Sequence, residues 1–195
     1  MRSQAPISHL EDEAKDDAEL MRKCAGGDQR AFQTLMRRHL ARTVRLAARI
    51  LGSTGAAEDL AQEAFIRVWK HAADWEQPHH AGARFTTWLY RIVFNLCIDE
   101  KRKARFSDID SVPEPADTRD SAESGLQRQE QSARVRAALG TLPERQRAAF
   151  VLCFYEEYSN KEAADMLGIS IKALESLLVR SRRALRDKLA EEKQP

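Results

Sequence analysis

Cysteine, glycine and proline are scarce in this chain of 195 residues, which contains 3, 8 and 6 of them respectively. Cys24, Cys97 and Cys153 are scattered, with neither disulfide nor metal-ligand spacing, so we expect buried thiols in a reducing cytoplasm. With 43% hydrophobic and 32% charged residues and so few helix breakers, the composition predicts a soluble helical protein.

Several classes of function lack their usual signals. No apolar run is long enough to span a bilayer, and the polar, acidic stretch from Met1 to Asp17 is unlike a signal peptide. No nucleophile–base pair, metal-ligand cluster or phosphate-binding glycine loop is present, and His79-His80 is interpreted as part of a loop. We therefore expect a cytoplasmic protein that is not an enzyme and needs no cofactor.

The two signs of charge are segregated along the chain. The net charge of +2 results from 32 basic and 30 acidic residues. Acidic residues dominate positions 11–17 and 108–123, whereas basic residues concentrate at 37–49, 101–105 and 180–188. Such blocks suggest nucleic-acid contact surfaces joined by acidic, solvated segments.

The predicted fold is all-α, with two helical domains joined by a flexible acidic linker. Residues 1–17 are expected to be a disordered acidic tail and 18–105 a first domain, in which Gly26-Gly27-Asp28 separates two helices and residues 75–83 form a loop. Residues 106–125, rich in Asp, Ser and Pro, are the predicted linker. Residues 126–195 form the second domain, which contains a helix-turn-helix.

The helix predicted from Arg84 to Arg105 is the most informative segment. It combines Trp88, Tyr90 and Asn95 with a basic C-terminal run. Aromatic rings can stack on unpaired bases, an amide can read a base edge, and cations neutralise phosphate. The alternative is a core helix with a solvated basic end, because aromatic residues at helical spacing usually mean core.

A second DNA-binding signature closes the chain. Ser159 and Glu162 have the spacing of a capping box, Gly168 marks a turn, and Ile171 begins a long helix to about Ala190. A small residue at position 164 and the apolar residues Leu174 and Leu177 suit the packing of a helix-turn-helix. The alternative is an ordinary helical hairpin.

From residue 18 to residue 189 these features resemble the extracytoplasmic-function (ECF) group of bacterial RNA polymerase sigma factors. The resemblance rests on four features: Asp59-Leu60-Ala61-Gln62-Glu63-Ala64-Phe65, the string from Thr87 to Asn95, Leu142-Pro143-Glu144, and the helix-turn-helix. It implies sigma domain 2 at 18–105, which docks on polymerase and recognises and melts the minus-ten element. It also implies sigma domain 4 at 126–195, which recognises the minus-thirty-five element.

The resemblance assigns three groups of site residues. Those expected to bind the clamp coiled coil of the largest polymerase subunit are Asp59, Gln62, Glu63 and Trp69; without the resemblance, the charged ones could equally be a solvated acidic face. Those expected at the minus-ten DNA are Trp88, Tyr90, Arg91, Asn95, Lys101 and Arg102. Those expected at the minus-thirty-five DNA are Lys172, Glu175, Ser176, Arg180 and Arg183.

The sequence departs from the family's pattern at two places. The loop at 75–84 is several residues longer than usual, which leaves its base preference open. In the recognition helix, Glu175 replaces a cation and Leu177 stands where another cation is common. Glu175 can accept a hydrogen bond from cytosine or be a solvated charge.

The sequence therefore predicts a non-enzymatic transcription initiation factor. Its expected partners are core RNA polymerase, through the clamp coiled coil and the flap region, promoter DNA, and an anti-sigma factor that could be membrane-bound. Two alternatives stay open: a one-component helix-turn-helix regulator, and a sigma-mimicking signalling adaptor. The first leaves residues 59–65 and 88–95 unexplained, whereas the atypical recognition helix favours the second.

Overall fold

The structure, a computed structural model, describes residues 7–53, 55–76, 84–107, 135 and 137–191, without the side chains of 7–15, 76, 104–107 and 191. Over these residues the all-α prediction is confirmed. The helices are α1 (Ile7–Ala25), α2 (Gln29–Leu51), α3 (Gly55–Lys70), α4 (Phe85–Ser107), α5 (Glu144–Phe154), α6 (Asn160–Leu167) and α7 (Ile171–Glu191), with a short 3₁₀ helix at Ala72–Glu76.

Local side-chain hydrogen bonds set several helix ends. The Asp28 carboxylate accepts from the backbone N–H groups of Arg30 and Ala31 and thereby caps α2. The spacing of Thr141 and Glu144 also predicts a capping box, but this prediction is wrong, because the Thr141 hydroxyl donates to the Ala138 carbonyl at 2.7 Å. Pro143 instead precedes α5, with no side-chain cap.

The acidic tail predicted for residues 1–17 requires a correction. Helix α1 begins at Ile7 and therefore includes most of that segment, and Asp17 is only 3% exposed. Its carboxylate accepts a hydrogen bond from Arg38 at 3.1 Å and lies 2.8 Å from Nε2 of His39. These partners on α2 compensate the buried charge and hold α1 against the core.

The first four helices form an N-terminal unit. Side chains from every one of them enter a common core, among them Met21, Leu35, Leu46, Phe65 and Leu89. Helices α3 and α4 both pack on α2, which leaves the outer face of each exposed to solvent.

Helices α5, α6 and α7 form a C-terminal unit. Leu152, Met166 and Leu174 meet in its interior, and all three are at most 2% exposed. A smaller cluster joins Leu139 and Leu142 to Leu185 of α7.

The two units pack directly against each other, which the sequence did not predict. Helix α5 contacts α2, and α6 contacts α4, so that both units share one hydrophobic core. Residues 155–159, here called the α5–α6 loop, carry side chains that contact α2 and α4. Helix α4 runs to Ser107, so the linker predicted to begin at residue 106 begins at residue 108 or later. Residues 108–125 lie outside the described residues.

Candidate nucleic-acid interface

Helix α3 presents a polar face opposite its buried side. Ala57, Leu60, Ala61, Ala64 and Val68 are buried, at 7% exposure or less. The expected polymerase-contacting residues Asp59 and Gln62 are exposed and Glu63 is half-buried. The Glu63 carboxylate accepts from Nε of Arg67 at 2.8 Å, and this hydrogen bond lowers the pKa of Glu63.

Two apolar side chains border this polar face. Trp69 is half-buried, and its ring packs on Phe32 with 5.1 Å between centroids, so part of its surface belongs to the core. Ile66, which is not among the site residues expected from the sequence, is 46% exposed. It follows Glu63 by three residues and Gln62 by four, so it shares their side of the helix. An apolar side chain at the edge of a charged face is typical of a protein-binding surface.

Helix α4 carries a polar stripe on its outer surface. Arg91, Asn95 and Arg102 are exposed and follow one another at intervals of four and seven, which places them on one face. Arg102 donates to Asp99 at 2.9 Å, and Lys101 is half-buried beside this stripe. The stripe therefore offers one neutral amide among cations, a combination suited to contacting a base between phosphates.

The prediction that Trp88 and Tyr90 contact DNA requires a correction. Trp88 is 8% exposed and packs on Trp75, with ring centroids 5.6 Å apart. Tyr90 is 1% exposed and meets Tyr158 of the C-terminal unit edge-on at 5.8 Å. In this arrangement neither ring can stack on a base, because each is covered by other aromatic rings.

Helices α6 and α7 form the predicted helix-turn-helix. The Ser159 hydroxyl accepts from the Glu162 N–H, while the Glu162 carboxylate accepts from the Ser159 N–H at 3.0 Å, which confirms the capping box. Gly168 ends α6 at φ 63°, a left-handed conformation that glycine adopts without a steric penalty. Leu174 and Leu178 are buried and Leu177 is half-buried against the core, so the position where a cation is common serves packing here.

The exposed side of α7 contains all the residues expected to read the minus-thirty-five element. Lys172, Glu175, Arg180 and Arg183 are exposed, and Ser176 is half-buried. Ser176 accepts from Arg180 at 2.8 Å. Val179, which is not among the site residues expected from the sequence, is 63% exposed and lies three residues after Ser176. The sequence alone does not distinguish it from its apolar neighbours Leu177 and Leu178, which pack against the core.

Comparison with known proteins assigns both units to one family. Residues 35–107 match the family model for Sigma-70 region 2, and residues 132–185 match that for Sigma-70, region 4. The chain is 32% identical over 174 residues to the ECF RNA polymerase sigma factor SigM of Mycobacterium tuberculosis, covering 88% of this chain and 83% of that protein. It is 31% identical over 174 residues to SigW of Bacillus subtilis, with 84% and 91% covered. The chain belongs to the ECF sigma factors.

A longer relative and two solved structures agree with this assignment. This chain is 36% identical over 173 residues to the ECF RNA polymerase sigma factor SigE of Mycolicibacterium smegmatis. The match covers 85% of this chain and 65% of the length of that protein. The fold of this chain matches CnrH in complex with the cytosolic domain of CnrY, with a TM-score of 0.66 at 29% identity, covering 91% and 99% of the two chains. It also matches the sigma factor RpoE in complex with the anti-sigma factor NepR from Bartonella quintana, with a TM-score of 0.66 at 26% identity, covering 82% and 96%.

The described part of the sigma factor lacks two kinds of structural feature. No group of three or more His, Cys, Asp or Glu residues within it could hold a metal ion. No described helix is both long and apolar enough to cross a membrane. Most of the loop expected at residues 75–84, namely residues 77–83, lies outside the described residues.

Proposed function

We propose that this sigma factor binds core RNA polymerase through α3 and directs it to promoters through α4 and α7. The observation that carries the proposal is the separation of three solvent-facing surfaces, one on each of these helices, in a chain that belongs to the ECF sigma factors. Such a protein does its work by binding and has no catalytic chemistry of its own, and we place this work in the cytoplasm.

Helix α3 would dock on the clamp coiled coil of the largest polymerase subunit. Asp59 and Glu63 supply charge for basic partner groups, and Gln62 supplies an amide that can donate and accept. Ile66 and the exposed part of Trp69 would exclude water from the contact. The Arg67 side chain holds the Glu63 carboxylate in place, so that less rotamer entropy is lost on binding.

Helix α4 would recognise the minus-ten element. Asn95 is the base-reading residue in this proposal, because its amide is exposed and can pair with a base edge. Arg91, Lys101 and Arg102 would hold phosphates on either side of it. Trp88 and Tyr90 would support this helix from inside the core.

Helix α7 would recognise the minus-thirty-five element in the major groove. Lys172, Glu175 and Ser176 lie in its first two turns, where a recognition helix meets base edges. Arg180 and Arg183 lie one and two turns further along the helix and are suited to binding phosphates of the DNA backbone. Val179 lies between these groups and could contact the methyl group of thymine.

The proposal includes control by an anti-sigma protein. Two structural neighbours are described as complexes, one of CnrH with the cytosolic domain of CnrY and one of a sigma factor with the anti-sigma factor NepR. An apolar depression of about 420 Å³ on the C-terminal unit, bordered by Phe154, Tyr155, Arg182 and Leu185, is open to such a protein or to the polymerase flap.

Run-off transcription with purified core enzyme tests the proposal. The wild-type chain should support specific initiation, whereas the double variant Asp59→Arg/Glu63→Arg should lose association with core. The loss of buried interface charge pairs costs roughly 2–5 kcal/mol, equivalent to a drop in affinity of at least about thirtyfold. The matched control is Glu19→Arg/Asp165→Arg, which makes the same change in charge away from α3.

The same experiment separates the two alternatives. A one-component regulator would bind duplex DNA without core enzyme and would not be affected by the α3 variant. A sigma-mimicking adaptor would bind neither core nor promoter DNA. If the α3 variant is captured by core as well as the wild type, the docking surface is assigned wrongly.

A further inference from the structure

Helix α2 contains six arginines and no acidic residue along its 23 positions. Arg38 forms ion pairs with carboxylates of α1. Arg42 and Arg49 form ion pairs with Glu156, which is 9% exposed in the α5–α6 loop. Half of the arginines of this helix therefore have carboxylate partners elsewhere in the chain.

The other three arginines lie together on the outer surface of α2. Arg30, Arg37 and Arg45 are exposed, and none of their guanidinium groups forms an ion pair with a described residue. Their intervals of seven and eight residues place them within about 80° of one another around the helix, opposite its buried side. We call these three residues the α2 arginine stripe.

The stripe concentrates positive charge at a cost to the helix itself. Arg45 follows Arg42 by three residues and precedes Arg49 by four, so both cations are its neighbours on the helix surface. Like charges at these spacings destabilise a helix. Both carboxylate oxygens of Glu156 accept from Arg42 and Arg49, so they do not compensate Arg45. An anion bound from outside the chain would remove this repulsion.

The surface around these arginines favours nucleic acid over protein as the anionic partner. Ala41 is exposed one turn after Arg37 and one turn before Arg45, so a phosphate can approach the helix between two guanidinium groups. A guanidinium binds phosphate oxygens through two parallel N–H groups. None of the large apolar side chains that are exposed belongs to α2, whereas a protein-binding surface usually has such an anchor, as α3 has in Ile66.

The C-terminal end of the stripe approaches the surface of α4 that carries Arg91 and Asn95. Burial raises the pKa of the Tyr90 hydroxyl, and the positive charge of Arg45 is close enough to oppose this rise. Tyr90 directly precedes the exposed Arg91. Arg37 lies about 12 Å from Arg45 along the helix axis, which corresponds to roughly three to four base pairs of B-form DNA. A DNA backbone that passes Arg91 can therefore continue along α2.

We propose that the α2 arginine stripe is a second phosphate-binding surface of the N-terminal unit, in which Arg37 and Arg45 hold the promoter backbone beside the minus-ten element and Arg30 extends the contact. This inference rests on the proposed function, because it adds to a promoter contact made by α4. Each phosphate that an arginine neutralises releases condensed counterions. The stripe therefore makes binding tighter and more dependent on salt, without changing base preference.

The salt dependence of promoter binding by the complete holoenzyme tests the stripe. With purified core polymerase, Arg37→Gln and Arg45→Gln should each lower the slope of log affinity against log salt by about 0.9, and the double variant by about 1.8. The affinity of the double variant should fall on the order of tenfold near physiological salt. Arg145→Gln is the control, because it removes an exposed arginine of α5 that forms no ion pair with a described residue, and its slope should not change.

Neutral methylphosphonate linkages in the DNA identify the phosphates that the stripe contacts. Promoters with one such linkage at each position in and beside the minus-ten element are bound by the wild type and by Arg45→Gln. A linkage at a contacted phosphate should weaken the wild type severalfold and the variant much less, because the variant has already lost that contact. If no linkage affects the two proteins differently, the inference is wrong. A general disturbance of the fold would weaken binding to all these promoters alike.

Two further measurements keep the other outcomes distinct. Circular dichroism should show unchanged helix content and Tm in the variants, since the replaced side chains are exposed. If the double variant loses association with core polymerase but keeps the wild-type salt slope, the stripe binds protein and the inference is overturned. Failure of the wild type in run-off transcription would instead contradict the proposed function. The free chain with a duplex of unrelated sequence would then still test phosphate binding, through the same change of slope.

Discussion

Replacement of Arg147 by methionine tests how much this side chain stabilises the C-terminal unit and its contact with the N-terminal unit. Arg147 is 3% exposed, although it carries a charge. Its guanidinium donates to the carbonyl of Ile50 on α2 at 2.9 Å, to that of Leu142 at 3.0 Å, and also to that of Gly140. Three backbone carbonyls therefore take the place of a carboxylate partner, while burial lowers the pKa of Arg147.

The expected loss of stability follows from the three backbone carbonyls that the substitution leaves without a donor. Hydrogen bonds that involve a charged group contribute about 1.5–3 kcal/mol each, and a buried carbonyl left without a donor costs about 1–3 kcal/mol. Relief from burying a cation offsets part of this sum. We therefore expect Arg147→Met to lower the free energy of unfolding by about 3–5 kcal/mol, although methionine fills a similar volume.

Thermal and urea unfolding followed by circular dichroism measure this loss. For a chain of this size, 3–5 kcal/mol corresponds to a fall in Tm of roughly 10 °C. Arg145→Met is the matched control, since Arg145 is exposed on the same helix and should change the free energy by less than about 0.5 kcal/mol. Equal stability of the two variants would refute the reasoning, because it would mean that water or relaxed backbone satisfies the three carbonyls.

Three further predictions concern single side chains. Asn95→Ala should remove about 1–3 kcal/mol of base discrimination at one minus-ten position without lowering Tm, whereas Arg102→Ala should weaken binding to all promoters alike and flatten the salt dependence by about one phosphate. Transcription from promoters with each minus-ten base varied measures this, and an unchanged base preference of Asn95→Ala would contradict the prediction. Ser159→Ala should cost about 1 kcal/mol in urea unfolding by removing the cap of α6, and an unchanged midpoint would show that the capping box contributes nothing. Burial raises the pKa of Cys97 to about 12 and that of Cys24 to about 11, so iodoacetamide at pH 8 should label the half-buried Cys153 first, and faster labelling of Cys97 would contradict the packing of α4.

The features that could be predicted from the sequence are the local ones. Asp28 after two glycines, and Ser159 three residues before Glu162, determine helix ends through bonds that span two or three positions. Apolar spacing likewise predicts which sides of α3 and α7 are buried. Thr141 shows the limit of this reasoning, because its spacing to Glu144 fits a capping box but its hydroxyl bonds backwards to residue 138.

Contacts between distant positions could not be predicted in the same way. Asp17 meets His39 across 22 positions, and Arg42 meets Glu156 across 114. Neither pairing leaves a periodic pattern in the sequence, so the sequence predicts that Asp17 lies in an acidic tail. Tyr90 is predicted to contact DNA for a related reason, since a ring at helical spacing looks the same whether it faces a base or another ring.

The basic stretch at 37–49 illustrates why a charge block alone does not identify its partner. Its segregation favoured nucleic acid, but Arg38 contacts Asp17, and Arg42 and Arg49 contact Glu156, all within the chain. A guanidinium that holds a carboxylate through its fork of donors cannot hold a phosphate with the same donors at the same time. Any DNA contact by Arg42 or Arg49 would therefore compete with the ion pairs that these two arginines form with Glu156 between the two units.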